Sequence, residues 1–164
     1  MKLRLYPDDI LRKKAAEASD EEAAELFPRL ITSMYNYSGI GLAAPQVGID
    51  RQVAVVSETA DESLDKPLLL LNPRIIESSG SFSIEEGCLS VAGVTAPVPR
   101  SASIKVETGP GSDRQVIEAG GLLSVVIQHE IDHLNGILFP DRLSSHKRIW
   151  YLLKAARKKR GSER

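Results

Sequence analysis

Apolar residues recur along this chain with two different periods, and the change between them falls near residue 120. Before it, "RQVAVVS" (51–57) and "PLLLLNPRII" (67–76) are short runs rich in β-branched and aliphatic residues, the pattern of buried strands. "ASIKVET" and "DRQVIEA" alternate polar and apolar positions on either side of "GPGS", which predicts a hairpin with an irregular turn. One early segment departs from this: "SDEEAAELFPRLITSMYNY" places Leu26, Leu30 and Met34 at helical spacing, with acids in the first turn and Ser19 positioned as its cap. Pro28 is expected to kink that helix or to mark a restart.

From Gly120-Gly121 onward the period becomes helical. "LLSVVIQHEIDHLNG" is apolar on nearly every face and ends in Asn135-Gly136, a left-handed stop, so it predicts a buried helix. A last helix, about 145–160, follows in "SSHKRIWYLLKAARKKR", capped by Ser144 or Ser145, with Ile149, Leu152, Leu153 and Ala156 expected on its packed face. The fold class is α+β: antiparallel sheets packed around a central buried helix, with a C-terminal helix beyond. At 164 residues the whole length, 1–164, fits one catalytic domain.

Composition narrows the class. Hydrophobic residues make up 42% and charged residues 26%, the balance of a globular chain, and no run approaches the roughly 20 apolar residues of a membrane span. The opening segment has no apolar signal core and carries Asp8, Asp9 and Glu17, which argues for a cytoplasmic protein. The net charge of −1 conceals an asymmetry: from Lys147 onward eight basic residues stand against Glu163 alone, so that end is +7 and the remainder −8. Cys88 is the single cysteine, which rules out an intrachain disulfide.

The chemistry is concentrated in the buried helix. His129 and His133 are four residues apart, so both project from one helix face and can share a metal ion, while Glu130 lies about 100° around the axis at the flank. Two histidines and an ionisable glutamate on an otherwise oily helix cost several kcal/mol to bury without a partner. A hydrolytic metal needs a third protein ligand and an open position. The extended pattern H-E-x-x-H-x-x-G-x-x-H fails at Phe139, and the only later glutamate is Glu163 in the charged tail. Asp141, His146 or an upstream residue remain. Upstream, Cys88 stands in "SIEEGCLSVAG"; a lone cysteine is ordinarily a small core residue, but two histidines lacking a partner make its thiolate the preferred ligand.

Three marks, "GIGLAAPQ" at 39–46, "EGCLS" at 86–90 and "QHEIDH" at 128–133, together resemble the three motifs of the peptide deformylases, in the same order and over essentially the whole chain. The resemblance implies a bacterial-type hydrolase that removes the formyl group from N-formyl-methionyl nascent peptides. It implies a site of Cys88, His129 and His133 around one divalent ion with water in the fourth position. Fe(II) is expected in the cell, with zinc, nickel or cobalt accepted, since the ligand types suit any of them. Glu130 is then the acid/base, and the side-chain amide of Gln46 with the backbone N–H of Leu89 forms the oxyanion hole. Ile40, Ile84, Leu122 and Val126 are the candidate lining of the methionine pocket, and Gly41 is expected to hydrogen-bond the peptide backbone along a strand edge.

The sequence departs from the family after "EGCLS", where Ala92-Gly93 replace Pro-Glu and Thr95 stands where an arginine is expected; the motif residues themselves are unchanged. Asp132 is read as structural, paired with Arg100. The basic last helix suggests contact with ribosomal RNA, while neither DNA nor membrane is expected as a partner and the protein is expected to be a monomer. Two rival readings are an endopeptidase built on H-E-x-x-H and a non-enzymatic metal or redox sensor. The first would cut internal peptide bonds; the second would have no need of Glu130 and Gln46.

Overall fold

The computed structural model describes residues 1–111 and 113–162, with side chains described through Lys158 in the last helix. The Glu163 and Arg164 of the basic tail lie outside the described residues, as do the side chains of Lys159 and Arg160. In chain order the elements are α1 (Asp20–Asn36), β1 (Gly41–Ala43), β2 (Val53–Val56), β3 (Leu68–Leu71), β4 (Arg74–Ser79), β5 (Phe82–Cys88), β6 (Val91–Arg100), β7 (Ser103–Thr108), β8 (Gln115–Gly120), α2 (Gly121–Leu134) and α3 (Ser145–Ser162), with short 3-10 turns between them. All strand pairings are antiparallel: β1-β2-β3 form one sheet, β4-β7-β8 a second, and β5-β6 a hairpin. The α+β class is as the sequence predicted.

Strand β2 is buried throughout, and its alternation divides the interior. Val53 and Val55 pack with Leu26, Leu30 and Met34 of α1, whereas Ala54 and Val56 pack with Val126, Ile127 and Ile131 of α2. Ile104 and Val106 of β7 close over the far side of α2, so this helix lies between the two larger sheets. Its start and stop are glycine-dependent: Gly121 has φ +55°, and Gly136, at φ +72°, lies so close to the Arg12–Lys13 backbone that a Cβ would come within 3.0 Å of it.

Two expectations are corrected and a third is narrowed. Helix α1 begins at the predicted Ser19 cap, which the structure shows to be a full capping box: Ser19 Oγ accepts from the Glu22 amide at 3.3 Å and Glu22 Oε2 accepts from the Ser19 amide at 2.9 Å. It then runs through Pro28 without a restart, because packing of Leu26, Leu30 and Met34 on the sheet offsets the roughly 3 kcal/mol cost of an interior proline. The 67–76 run is two strands in different sheets: Asn72 adopts φ 47° after β3, Pro73 follows, and β4 is exposed along its length. In α3 the packed residues are Tyr151, Leu152 and Ala155, set against Val91, Val94, Ala96 and Val98 of β6, while Ile149 and Leu153 are each 55% exposed. The apolar row of β6 selects that face. No helix among the described residues is long and apolar enough to cross a membrane.

Candidate metal centre

Cys88 ends β5 and the two histidines project from α2, so hairpin and helix meet at one point. Cys88 Sγ is 3.1 Å from His133 Nε2, which is 3.2 Å from His129 Nε2, and all three candidate ligand atoms lie within 4.8 Å of one another. Ligands at about 2.0–2.3 Å from a tetrahedral ion stand roughly 3.3–3.6 Å apart, close to these separations. His129 Nδ1 lies 3.0 Å from Glu86 Oε2, a bond that assigns the proton to Nδ1 and leaves the Nε2 lone pair aimed at the cluster. The donor set and its orientation fit a divalent ion. The alternatives separate from it: Asp141 is paired with Arg12 and accepts from the Leu138 amide at 2.8 Å, and His146 is exposed on α3.

Glu130 is 3% exposed, and its Oε2 has no hydrogen-bond partner among the described residues. Burial pushes its pKa up to about 7 in the metal-free chain, despite the opposing charge of His129. Its other oxygen lies against Gly41 of β1, where a Cβ would overlap Oε1 and come 2.9 Å from Val126 Cγ1. Gly41 therefore makes room for the carboxylate. Gly41→Ala is expected to lower kcat by about 10²-fold by displacing Glu130, with the circular dichroism spectrum unchanged; steady-state kinetics beside that spectrum checks it.

Gln46 is 2% exposed and its amide is fixed at both ends. Oε1 accepts from the Ala43 amide at 2.9 Å, which turns Nε2 toward Ser90 Oγ at 3.3 Å and Cys88 Sγ at 3.7 Å. Leu89 follows Cys88 in the two-residue turn between β5 and β6, which leaves its backbone N–H outside the hairpin ladder.

A buried ion network supports the ligands. Arg100, 4% exposed, donates to both oxygens of Glu86 at 2.6 and 2.9 Å and to Asp132 Oδ2 at 2.6 Å. Asp132 also accepts from Arg142, so the expected Asp132–Arg100 pair is part of a larger set. Burial would raise the Glu86 pKa, but Arg100 and His129 outweigh it and hold the carboxyl below its usual range. Burial likewise opposes charge on His129, yet Cys88 and Glu86 keep its pKa well above that of a free imidazole without metal. Burial and the nearby cations push His133 well below it.

Above the cluster lies a cavity of about 750 Å³. Ile40, Gly41, Ile84, Leu122 and Val126, the five residues expected to contact substrate, all line it, together with Gln46, Leu89 and Glu130. Sequence reasoning missed Val125 and the α3 residues Trp150, Tyr151 and Lys154. It also gave no role to Glu86, although strand alternation puts Ile84, Glu86 and Cys88 on one side of β5, a signal available in "IEEGC".

The polypeptide deformylase family profile matches residues 1–149. A peptide deformylase of Thermodesulfovibrio yellowstonii is 40% identical over 162 residues, 97% of this chain and 98% of that protein. The crystal structure of a peptide deformylase from Legionella pneumophila superimposes with a TM-score of 0.86 at 36% identity, covering 99% of this chain and 97% of the other. One from Synechococcus elongatus in complex with actinonin gives a TM-score of 0.83 at 40% identity, covering 97% and 87%.

Proposed function

The chain belongs to the polypeptide deformylase family of hydrolases, and from that premise we propose that it cleaves the formyl group from N-formyl-methionyl peptides with Cys88, His129 and His133 as metal ligands and Glu130 as acid/base. The observation that carries this reading is the Glu130 carboxylate, buried with an unpartnered oxygen on the same helix as two of three converging ligand atoms. A core has no use for such a group; a proton-transfer site does.

A divalent ion held there would supply Lewis acidity, which acidifies water and polarises a carbonyl; the likeness to the deformylases makes Fe(II) our assignment, and the ligand types are equally compatible with zinc, nickel and cobalt. The formylated peptide lies extended beside β1, the edge strand of its sheet, with Gly41 as its backbone partner. Ile40, Ile84, Leu122 and Val126 receive the methionine side chain. Water attacks the formyl carbon and passes a proton to Glu130, and negative charge develops on the former carbonyl oxygen. Gln46 Nε2–H and the Leu89 N–H stabilise that charge. The C–N bond then breaks, Glu130 returns the proton to the amine, and formate leaves. The exposed Lys147, Arg148 and Arg157 of α3 support contact with ribosomal RNA as the partner surface.

The reading is tested by formate release from formyl-Met-Ala-Ser with anaerobically prepared Fe(II) protein. Formate and a free methionyl N-terminus are expected; cleavage of an internal bond instead would identify an endopeptidase. Gln46→Ala is expected to lower kcat by about 10²–10³-fold, as removal of one oxyanion donor does elsewhere, and a change of a few-fold in the same assay would remove Gln46 from that role.

A further inference from the structure

The groove over the ligand cluster has more room than a formyl group and one thioether side chain need. Its far wall is not part of the sheets. Trp150, Tyr151 and Lys154 of α3 line it beside the 92–95 segment of β6, and the family match ends one residue before Trp150. Trp150 stands edge-on to Tyr151, with ring centroids 4.7 Å apart, and Lys154 Nζ lies 4.9 Å from the Trp150 ring centroid. The indole is nevertheless 55% exposed, so the cluster presents an open aromatic face and a cation that has no carboxylate partner among the described residues. The neighbouring β6 backbone is matched to this helix. Gly93, at φ +73°, lies where the Lys158 side chain crosses, and any Cβ there would overlap it.

We propose that α3 forms a distal subsite for the substrate, with Trp150 packing on the residues after the formyl-methionine and Lys154 selecting an acidic side chain there. This rests on the deformylase reading, because it takes the occupant of the groove to be a formylated peptide. A chain extended from the metal site beside β1 must leave the cavity past its outer wall. An aromatic face tolerates many side chains in that position, whereas a lysine discriminates by charge.

Trp150 is the protein's single tryptophan, which provides a readout independent of turnover. Metal-loaded Glu130→Gln protein, which keeps peptides intact, is titrated with formyl-Met-Ala, formyl-Met-Ala-Ser-Glu and formyl-Met-Ala-Ser-Lys. Both tetrapeptides are expected to change the indole emission and the dipeptide to leave it unchanged, with the Glu peptide binding more tightly and Lys154→Glu reversing that order. In active enzyme, Trp150→Ala should lower kcat/KM for the Glu tetrapeptide about three- to tenfold through KM and leave formyl-Met-Ala within about twofold. Emission that is blind to peptide length, or an equal kinetic loss on both lengths, overturns the subsite. If the parent releases no formate from any peptide, the deformylase reading falls, while a length-dependent emission change would still place a peptide against α3.

Discussion

Glu130→Gln, loaded with the same metal as the parent, is expected to release formate about 10²–10⁴-fold more slowly, the range for loss of a positioned proton carrier. The glutamine keeps the size of the side chain and its fit against Gly41, so the loss isolates proton transfer from packing. The same substitution should stabilise the metal-free protein at neutral and higher pH. Burial raises the Glu130 pKa from 4.5 to about 7. Its favourable contribution is therefore complete below pH 4.5, where folded and unfolded chains are both protonated, and is lost as pH rises through about 7. Above that, the folded state must hold a buried, unpartnered anion. Thermal unfolding of metal-free parent and variant at pH 5 and pH 8 should show the variant's advantage growing with pH. A variant that is inactive yet more stable marks a group retained for chemistry. Full activity in the variant would remove Glu130 from the reaction.

Much of this could be read from the sequence, and the divisions are physical. The His129–His133 spacing and the apolar character of α2 are local, so the histidine pair and the burial of its helix follow from a single segment. Alternation in β7 and β8 gave the hairpin for the same reason. The approach of Cys88 to that helix is a long-range fact, available only through elimination and resemblance. Long-range packing also explains the failures. Pro28 remains helical because the sheet beneath α1 holds Leu26 and Leu30 in place. The apolar residues of α3 offer more than one stripe, and only the row on β6 determines that Tyr151 and Ala155 are packed while Ile149 and Leu153 face solvent. That same packing brings Trp150 to the groove, so the distal wall was invisible to periodicity. The partners of Glu86, Arg100 and His129, lie 14 and 43 residues away, so its role depends on long-range packing as well.

Arg100→Ala should produce the largest stability loss. The guanidinium is the only described cation that joins Glu86 to Asp132, and so links β5, β6 and α2 behind the ligands. Its removal leaves Glu86 charged and buried beside His129, while Asp132 retains Arg142. Losing one partner of a buried ion pair costs about 3–5 kcal/mol, or roughly 6–20 °C in Tm for a chain of this size. The loss should depend on pH with a definite sign. In the parent, Arg100 and His129 hold the Glu86 pKa below 4.5 against the effect of burial, so their support is present above that value and fades as Glu86 protonates. The gap between parent and variant is therefore widest near neutral pH and narrows below 4.5, where a protonated Glu86 no longer needs a counter-charge. Because Glu86 also fixes the His129 tautomer, metal affinity should fall about 10–100-fold in the same variant. Arg100→Lys separates the two effects: it restores a charge but cannot bind both Glu86 oxygens and Asp132 together. It should recover part of the stability and less of the affinity. Equal recovery of both would mean that Arg100 acts on the ligands through charge alone, without orienting Glu86.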